Sequence, residues 1–222
     1  MAPSYAFTDR QDAGRKLAAA LQNVDLSDAV VVALPRGGVP VAEEICKAYQ
    51  LPLDLVFVRK IGAPGHQELA VGAIVDGDMP QFVINHRIAR SAGLTDAQVE
   101  TMGQDLLPEI ARRRALYLKG LKRPSLANKT LVVVDDGVAT GATLRASLRA
   151  LRKAGAKTII LALPTAPPDM LPSLVKLADQ TICLDQPRYF HAVGAAYGRF
   201  DQTTDAEVVA ALQRCAVWQQ GT

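Results

Sequence analysis

Two adjacent carboxylates, Asp135 and Asp136, stand directly after the apolar run 131–134 and directly before Gly-Val-Ala-Thr-Gly-Ala-Thr. Neighbouring like charges at a strand end repel and lose hydration, so such a pair calls for a partner: a metal ion or a sugar diol. The residues that follow are small enough for backbone N–H groups to close around an anion, and Thr140 and Thr143 add hydroxyl donors. A helix opening within this loop turns its positive end toward the same anion. Carboxylates that grip a diol, next to a phosphate cradle, suit a phosphorylated pentose. The loop holds no lysine, and no G-x-G-x-x-G follows a strand, so the two common nucleotide-phosphate motifs are absent from the sequence.

Two further clusters lie where strands should end. Pro-Arg-Gly-Gly, with Arg36, Gly37 and Gly38, follows the β-branched run 29–35, and Arg59 and Lys60 close the run 53–60. The elements that must position these groups alternate along the chain. Strands are expected at 29–35, 53–60, 131–134, 158–164 and 181–184, with two more around a turn at 76–80. Helices are expected at 39–49, at 142–154 with Gly155 as the terminating glycine, and near 168–177. A helix from 96 carries Val99, Met102, Leu106 and Ile110 on one stripe, with a kink at Pro108. Capping boxes are read at Thr8–Gln11, Thr95–Gln98 and Thr204–Glu207. The segment 61–68, with two glycines, a proline and His66, reads as a loop. Apolar strands alternating with helices give an α/β fold with a parallel sheet covered on both faces. Ligands bind such sheets beyond the carboxyl ends of the strands, where all three clusters would converge.

The chain has 222 residues, 49% of them hydrophobic, and a net charge of +3 from 25 basic and 22 acidic residues. That balance does not imply nucleic acid as a partner and is compatible with a small anionic ligand. Cys46, Cys183 and Cys215 form neither a metal spacing nor a disulfide framework. With no apolar leader and no span of about 20 apolar residues, a cytoplasmic protein without membrane contact is expected. One domain, 1–222, is expected, with a small hood built from about 185–222.

The stretch 132–144 resembles the ribose-phosphate signature of type I phosphoribosyltransferases. Ala33–Ala42 is similar to that family's pyrophosphate loop, and 58–68 to the entry into its flexible loop. Order and spacing agree from about Val30 to Leu163. The resemblance implies a Rossmann-like parallel-sheet core and transfer of the 5-phosphoribosyl group of phosphoribosyl pyrophosphate to an acceptor, with a nucleobase as the expected class. It implies that Asp135 and Asp136 hold the ribose hydroxyls, and through them or through water a Mg2+ ion. Val138, Ala139, Thr140, Gly141, Ala142 and Thr143 would cradle the 5-phosphate, and Arg36, Gly37 and Gly38 would meet the pyrophosphate. The peptide before Arg36 is often cis in this family. Arg59 and Lys60 would add positive charge, Lys60 acting with Arg36 on the leaving group, and 62–69 would close over the site. Purine-specific relatives carry an aspartate where this chain has Ala139, which weakens a hypoxanthine or guanine assignment. Tyr189 and Phe190 are candidates to stack on the acceptor, and a homodimer is a family-level expectation. The alternative function is a non-catalytic phosphoribosyl pyrophosphate-binding regulator.

Overall fold

The structure is a computed structural model that describes residues 5–76 and 80–221, with backbone only at 67, 68 and 219–221. Five parallel strands form the main sheet in the order β2-β1-β6-β7-β8: β1 Ala29–Ala33, β2 Leu53–Leu55, β6 Thr130–Val134, β7 Thr158–Thr165 and β8 Gln180–Asp185. The register runs Val32↔Val133 between β1 and β6 and Val133↔Leu161 between β6 and β7. Strand alternation decides which helices each residue meets. Val31, Ala33, Val132, Val134 and Ile160 face one core with α1 (Arg10–Ala20), α2 (Gly38–Tyr49) and α8 (Asp205–Cys215). Val30, Val32, Leu131, Val133 and Leu161 face the other, with α6 (Ala142–Lys153) and α7 (Leu171–Val175). The uninterrupted apolar runs of β1, β6 and β7 follow from this double coverage, since neither face of these strands is left to water. Fully burying one such side chain stabilises the fold by about 1.5–3 kcal/mol.

A second, antiparallel sheet is inserted mid-chain. It has the order β3-β4-β5: β3 Val58–Ala63, β4 His66–Val75 and β5 Gln81–Ile84. Its core is Ile61, Val71 and Val99, joined by Phe82, Met102 and Leu106, under α3 (His86–Ser91) and α4 (Asp96–Gln104). The single strand expected at 53–60 is therefore two. Val56 N–H still donates to Ala33 of β1, but Phe57 C=O already accepts from Asp76 next to β4, so the chain changes sheets within two residues. The expected loop 61–68 is a hairpin instead, with pairing carried through bulges to Ala63↔His66 and the turn at Pro64 and Gly65. Of the turn expected at 76–80, residues 77–79 lie outside the described residues.

Three helix expectations are also corrected. The stripe from Val99 to Ile110 spans two helices, α4 and α5 (Leu107–Tyr117), because Pro108 occupies the first turn of α5, where its missing N–H costs nothing. The cap of α1 is Asp9, not Thr8: Asp9 Oδ1 accepts from Asp12 N–H at 2.9 Å, and Asp12 Oδ2 accepts from Thr8 N–H. The helix expected at 168–177 shortens to α7. The capping boxes at Thr95 and Thr204 form as read, and Gly155 ends α6 at φ +88°. Cys46 and Cys215 are free thiols buried in one core, and no described helix is long and apolar enough to cross a membrane.

Candidate functional site

Asp135 and Asp136 end β6, in the middle of the main sheet, and the Pro-Arg-Gly-Gly loop ends the adjacent β1. The Pro35–Arg36 peptide is cis. The two strand ends are packed so tightly that a Cβ on Gly37 would lie 2.0 Å from Asp136 Oδ2. Asp136 N–H donates to Asp135 Oδ1 at 2.9 Å. Burial, then the neighbouring Asp136 charge, pushes the Asp135 carboxyl well above the usual range. Burial also raises Asp136, although Arg10 opposes it.

Arg10 answers the repulsion that the sequence posed. Its Nε donates to Asp136 Oδ2 at 2.8 Å and its Nη2 lies 2.8 Å from the same oxygen. Its guanidinium stacks 3.8 Å above the Phe200 ring and donates to Asp201 C=O. The first helix reaches the site because the segment before it is pinned to the tail: Phe7 pairs with Tyr197, and Gly198 and Arg199 N–H donate to Phe7 and Thr8. Tyr197 closes the arrangement by donating its hydroxyl to Asp136 C=O. Residues 10, 197 and 200 carry no local motif, and sequence reasoning placed none of them beside the carboxylates.

Beyond the carboxylates the chain turns through Gly137 into the expected loop. Val138 does not join the cradle: its N–H donates to Thr165 C=O at 3.1 Å and its side chain is buried. From Ala139 to Thr143, no backbone N–H has a protein acceptor among the described residues. Gly141 caps α6 at φ +65°, a conformation that favours glycine, and it supplies no side-chain cap. The orphan donors of the first helical turn therefore remain open to an anion.

Arg36 is held apart from the carboxylates. Its Nη1 lies 3.4 Å from Asp205 Oδ1 in the first turn of α8, and Tyr117 donates its hydroxyl to the same oxygen at 2.6 Å. The Tyr117 hydrogen bond, followed by the Arg36 charge, keeps the Asp205 carboxyl below its ordinary value. Arg59 and Lys60 sit on β3 and share a cleft of about 540 Å³ with Thr143, so they approach the phosphate loop rather than Pro-Arg-Gly-Gly. Tyr189 and Phe190 line a different cleft of about 770 Å³ with Ala139, Asp169, Arg188 and His191. Among the described residues no group of three His, Cys, Asp or Glu side chains forms a metal cage.

A family model, the phosphoribosyl transferase domain, matches residues 6–191. This chain belongs to the phosphoribosyl transferase domain family. Two Mycobacterium tuberculosis proteins, from strains CDC 1551 / Oshkosh and ATCC 25618 / H37Rv, each named "Putative phosphoribosyl transferase", are 43% identical to it over 208 residues, 94% of this chain. This phosphoribosyl transferase domain spans 46% of the length of those curated relatives. The crystal structure of TT1426 from Thermus thermophilus superposes with a TM-score of 0.83 at 36% identity, covering 95% of this chain and 99% of that one. The type I phosphoribosyl transferase core expected from the signature is thus the observed fold.

One prediction concerns Arg10 directly. Both carboxyls are raised, so their ionised form develops only as pH climbs above the ordinary carboxylate range of about 4. Arg10 lowers Asp136, so Arg10→Ala moves the acid limb of ligand binding to higher pH. At neutral pH the loss of this charge is expected to weaken the binding of a phosphorylated sugar in the crevice. Calorimetry across pH checks both; an unmoved limb removes Arg10 from the site.

Proposed function

We propose that this domain transfers the 5-phosphoribosyl group of phosphoribosyl pyrophosphate to a small-molecule acceptor, with nucleobases the first class to test, and releases pyrophosphate. One observation carries the reading. A half-buried carboxylate pair at the end of β6 adjoins five consecutive backbone N–H groups with no protein acceptor among the described residues, and the Pro-Arg-Gly-Gly loop packs against the second carboxylate.

The free oxygens of Asp135 and Asp136 accept from the ribose hydroxyls, while Ala139, Thr140, Gly141, Ala142 and Thr143 surround the 5-phosphate. Gly37 and Gly38 bring backbone close to the pyrophosphate, and Arg36 swings from Asp205 toward the developing negative charge. Arg59 and Lys60 add positive potential beside Thr143. The leaving pyrophosphate departs from the ribosyl carbon, which gains oxocarbenium-like character, and the acceptor attacks the opposite face. Magnesium fits this donor set, because it binds through one or two carboxylates plus phosphate oxygens rather than in an all-protein cage. Asp135 and Asp136 would hold it, through water or through the sugar hydroxyls, and it would neutralise charge on the pyrophosphate.

The acceptor is assigned to the cleft of Ala139, Asp169, Arg188, Tyr189, Phe190 and His191, which begins at the phosphate loop. Tyr189 is 75% exposed there, available to stack on a planar ring. The tail segment that carries it, held to the crevice through Tyr197, serves as the hood.

Titration with phosphoribosyl pyrophosphate and magnesium tests the site. Asp136→Asn is expected to weaken binding at least about tenfold, by loss of a charged acceptor. Thr143→Val should weaken ribose 5-phosphate by a smaller factor and leave pyrophosphate binding unchanged. Wild-type affinity in both variants refutes the assignment. A nucleobase panel scored by pyrophosphate release then identifies the acceptor.

A further inference from the structure

Lys60, Arg87, Arg145 and Arg149 converge with His86 on a cleft of about 390 Å³ between α6 and the second sheet. Small residues, Ala70, Gly72 and Ala73 of β4 and Ala142 and Ala146 of α6, keep it open. Neither Asp135, Asp136 nor the Pro-Arg-Gly-Gly loop borders it, and no carboxylate lines it among the described residues. Elsewhere most of the arginines are paired, among them Arg112 and Arg113 with Glu109, Arg152 with Asp179 and Arg214 with Glu43. Here Lys60, Arg87 and Arg149 make no ion pair among the described residues, and Arg145 contacts only the uncharged Met170 Sδ and Ser173 Oγ. His86 alone is paired, with Asp96 at 3.1 Å. Burial, then the neighbouring Arg149 charge, pulls the Arg145 pKa down, so these like charges are close enough to repel.

We propose that this cleft is a second anion site, adjoining the Asp135–Asp136 crevice and sharing Lys60 and Ala142 with its phosphate-loop side, for a small molecule carrying two or more phosphoryl groups. Four cations around one concavity exceed what a single phosphate or carboxylate engages. Guanidinium forks match phosphoryl oxygens in pairs. The volume falls within the range of small-molecule sites, and among the described residues no Phe, Tyr or Trp lines the cleft to stack on single-stranded nucleic acid. Arg145 also links the cleft to the phosphate loop: its Nη1 lies 3.0 Å from the position of a Cβ on Gly141.

Titration of the full chain with inorganic tripolyphosphate, with ribose 5-phosphate as the probe of the other crevice, tests the site. Arg87 and Arg149 are exposed, so Arg87→Gln/Arg149→Gln leaves the fold intact. That variant is expected to bind tripolyphosphate at least tenfold more weakly and ribose 5-phosphate unchanged, while Asp136→Asn reverses the pattern. The control Arg112→Gln/Arg113→Gln, with the same loss of charge elsewhere, should bind tripolyphosphate like the wild type. Unaltered tripolyphosphate affinity in the cleft variant, or an equal loss in the control, overturns the proposal.

Discussion

Gly37→Ala is expected to lower phosphoribosyl pyrophosphate affinity at least about tenfold, the scale of losing a charged acceptor from a binding site. Gly37 has φ −61° and ψ −34°, helical values that alanine prefers to glycine. Backbone propensity alone therefore predicts a gain in stability of up to about 1 kcal/mol. The environment predicts the opposite, because the new Cβ would sit 2.0 Å from Asp136 Oδ2 and 2.5 Å from its Cγ. Either the carboxylate rotates off Arg10 or the loop withdraws from the strand end, and both changes move the groups meant to hold the sugar and the pyrophosphate. Calorimetry with magnesium present reads the loss. Adding Asp136→Ala to Gly37→Ala removes the clash and should restore thermal stability without restoring affinity. Wild-type affinity in Gly37→Ala would show that the close approach has no part in binding.

What the sequence displayed was local. An apolar run, two carboxylates, small residues and a helix start are contiguous, so the strand end, the paired carboxylates beyond it and the small-residue loop opening α6 could be read from 131–144 alone. Alternating apolar runs likewise revealed the parallel sheet, because each is buried on both faces. Arg10 is invisible by the same logic: it meets Asp136 across 126 positions, through a bridge between Phe7 and Tyr197 that no spacing rule encodes. Asp205 and Tyr117 reach Arg36 in the same long-range way. The mid-chain sheet was hidden for another reason. Val56 and Phe57 continue the apolar pattern of β2, with no glycine or proline to mark the change of sheet. The chain switches hydrogen-bond partners there without switching residue type. Val138 shows the limit inside the motif itself: its neighbours leave their N–H groups open, whereas its own is spent on β7.

A buried ion pair lies beside that unmarked change of sheet. Asp54 of β2 is 1% exposed, and Arg123, from the segment leading to β6, holds it with Nε at 3.0 Å and Nη2 at 2.9 Å while also donating to Leu55 C=O. Burial raises the Asp54 carboxyl, and Arg123 only partly offsets this. Arg123→Ala is expected to lower the unfolding free energy by about 3–5 kcal/mol, because a buried charge is left without its main partner. A raised folded-state pKa means that the native state holds its proton more tightly than the unfolded chain. Stability is then lost as pH rises through that window, and the variant, with a still higher Asp54 pKa, loses more. Its deficit should grow as pH rises and shrink as pH falls toward the unfolded carboxylate value of about 4. Loss of packing alone would give a deficit independent of pH. Asp54→Leu/Arg123→Met should recover most of the stability, since apolar replacement of a buried pair is often neutral or better. Urea melts of the three variants at two pH values decide the matter: an equal deficit at both, with no recovery in the double variant, would mean that Arg123 acts by shape rather than by charge.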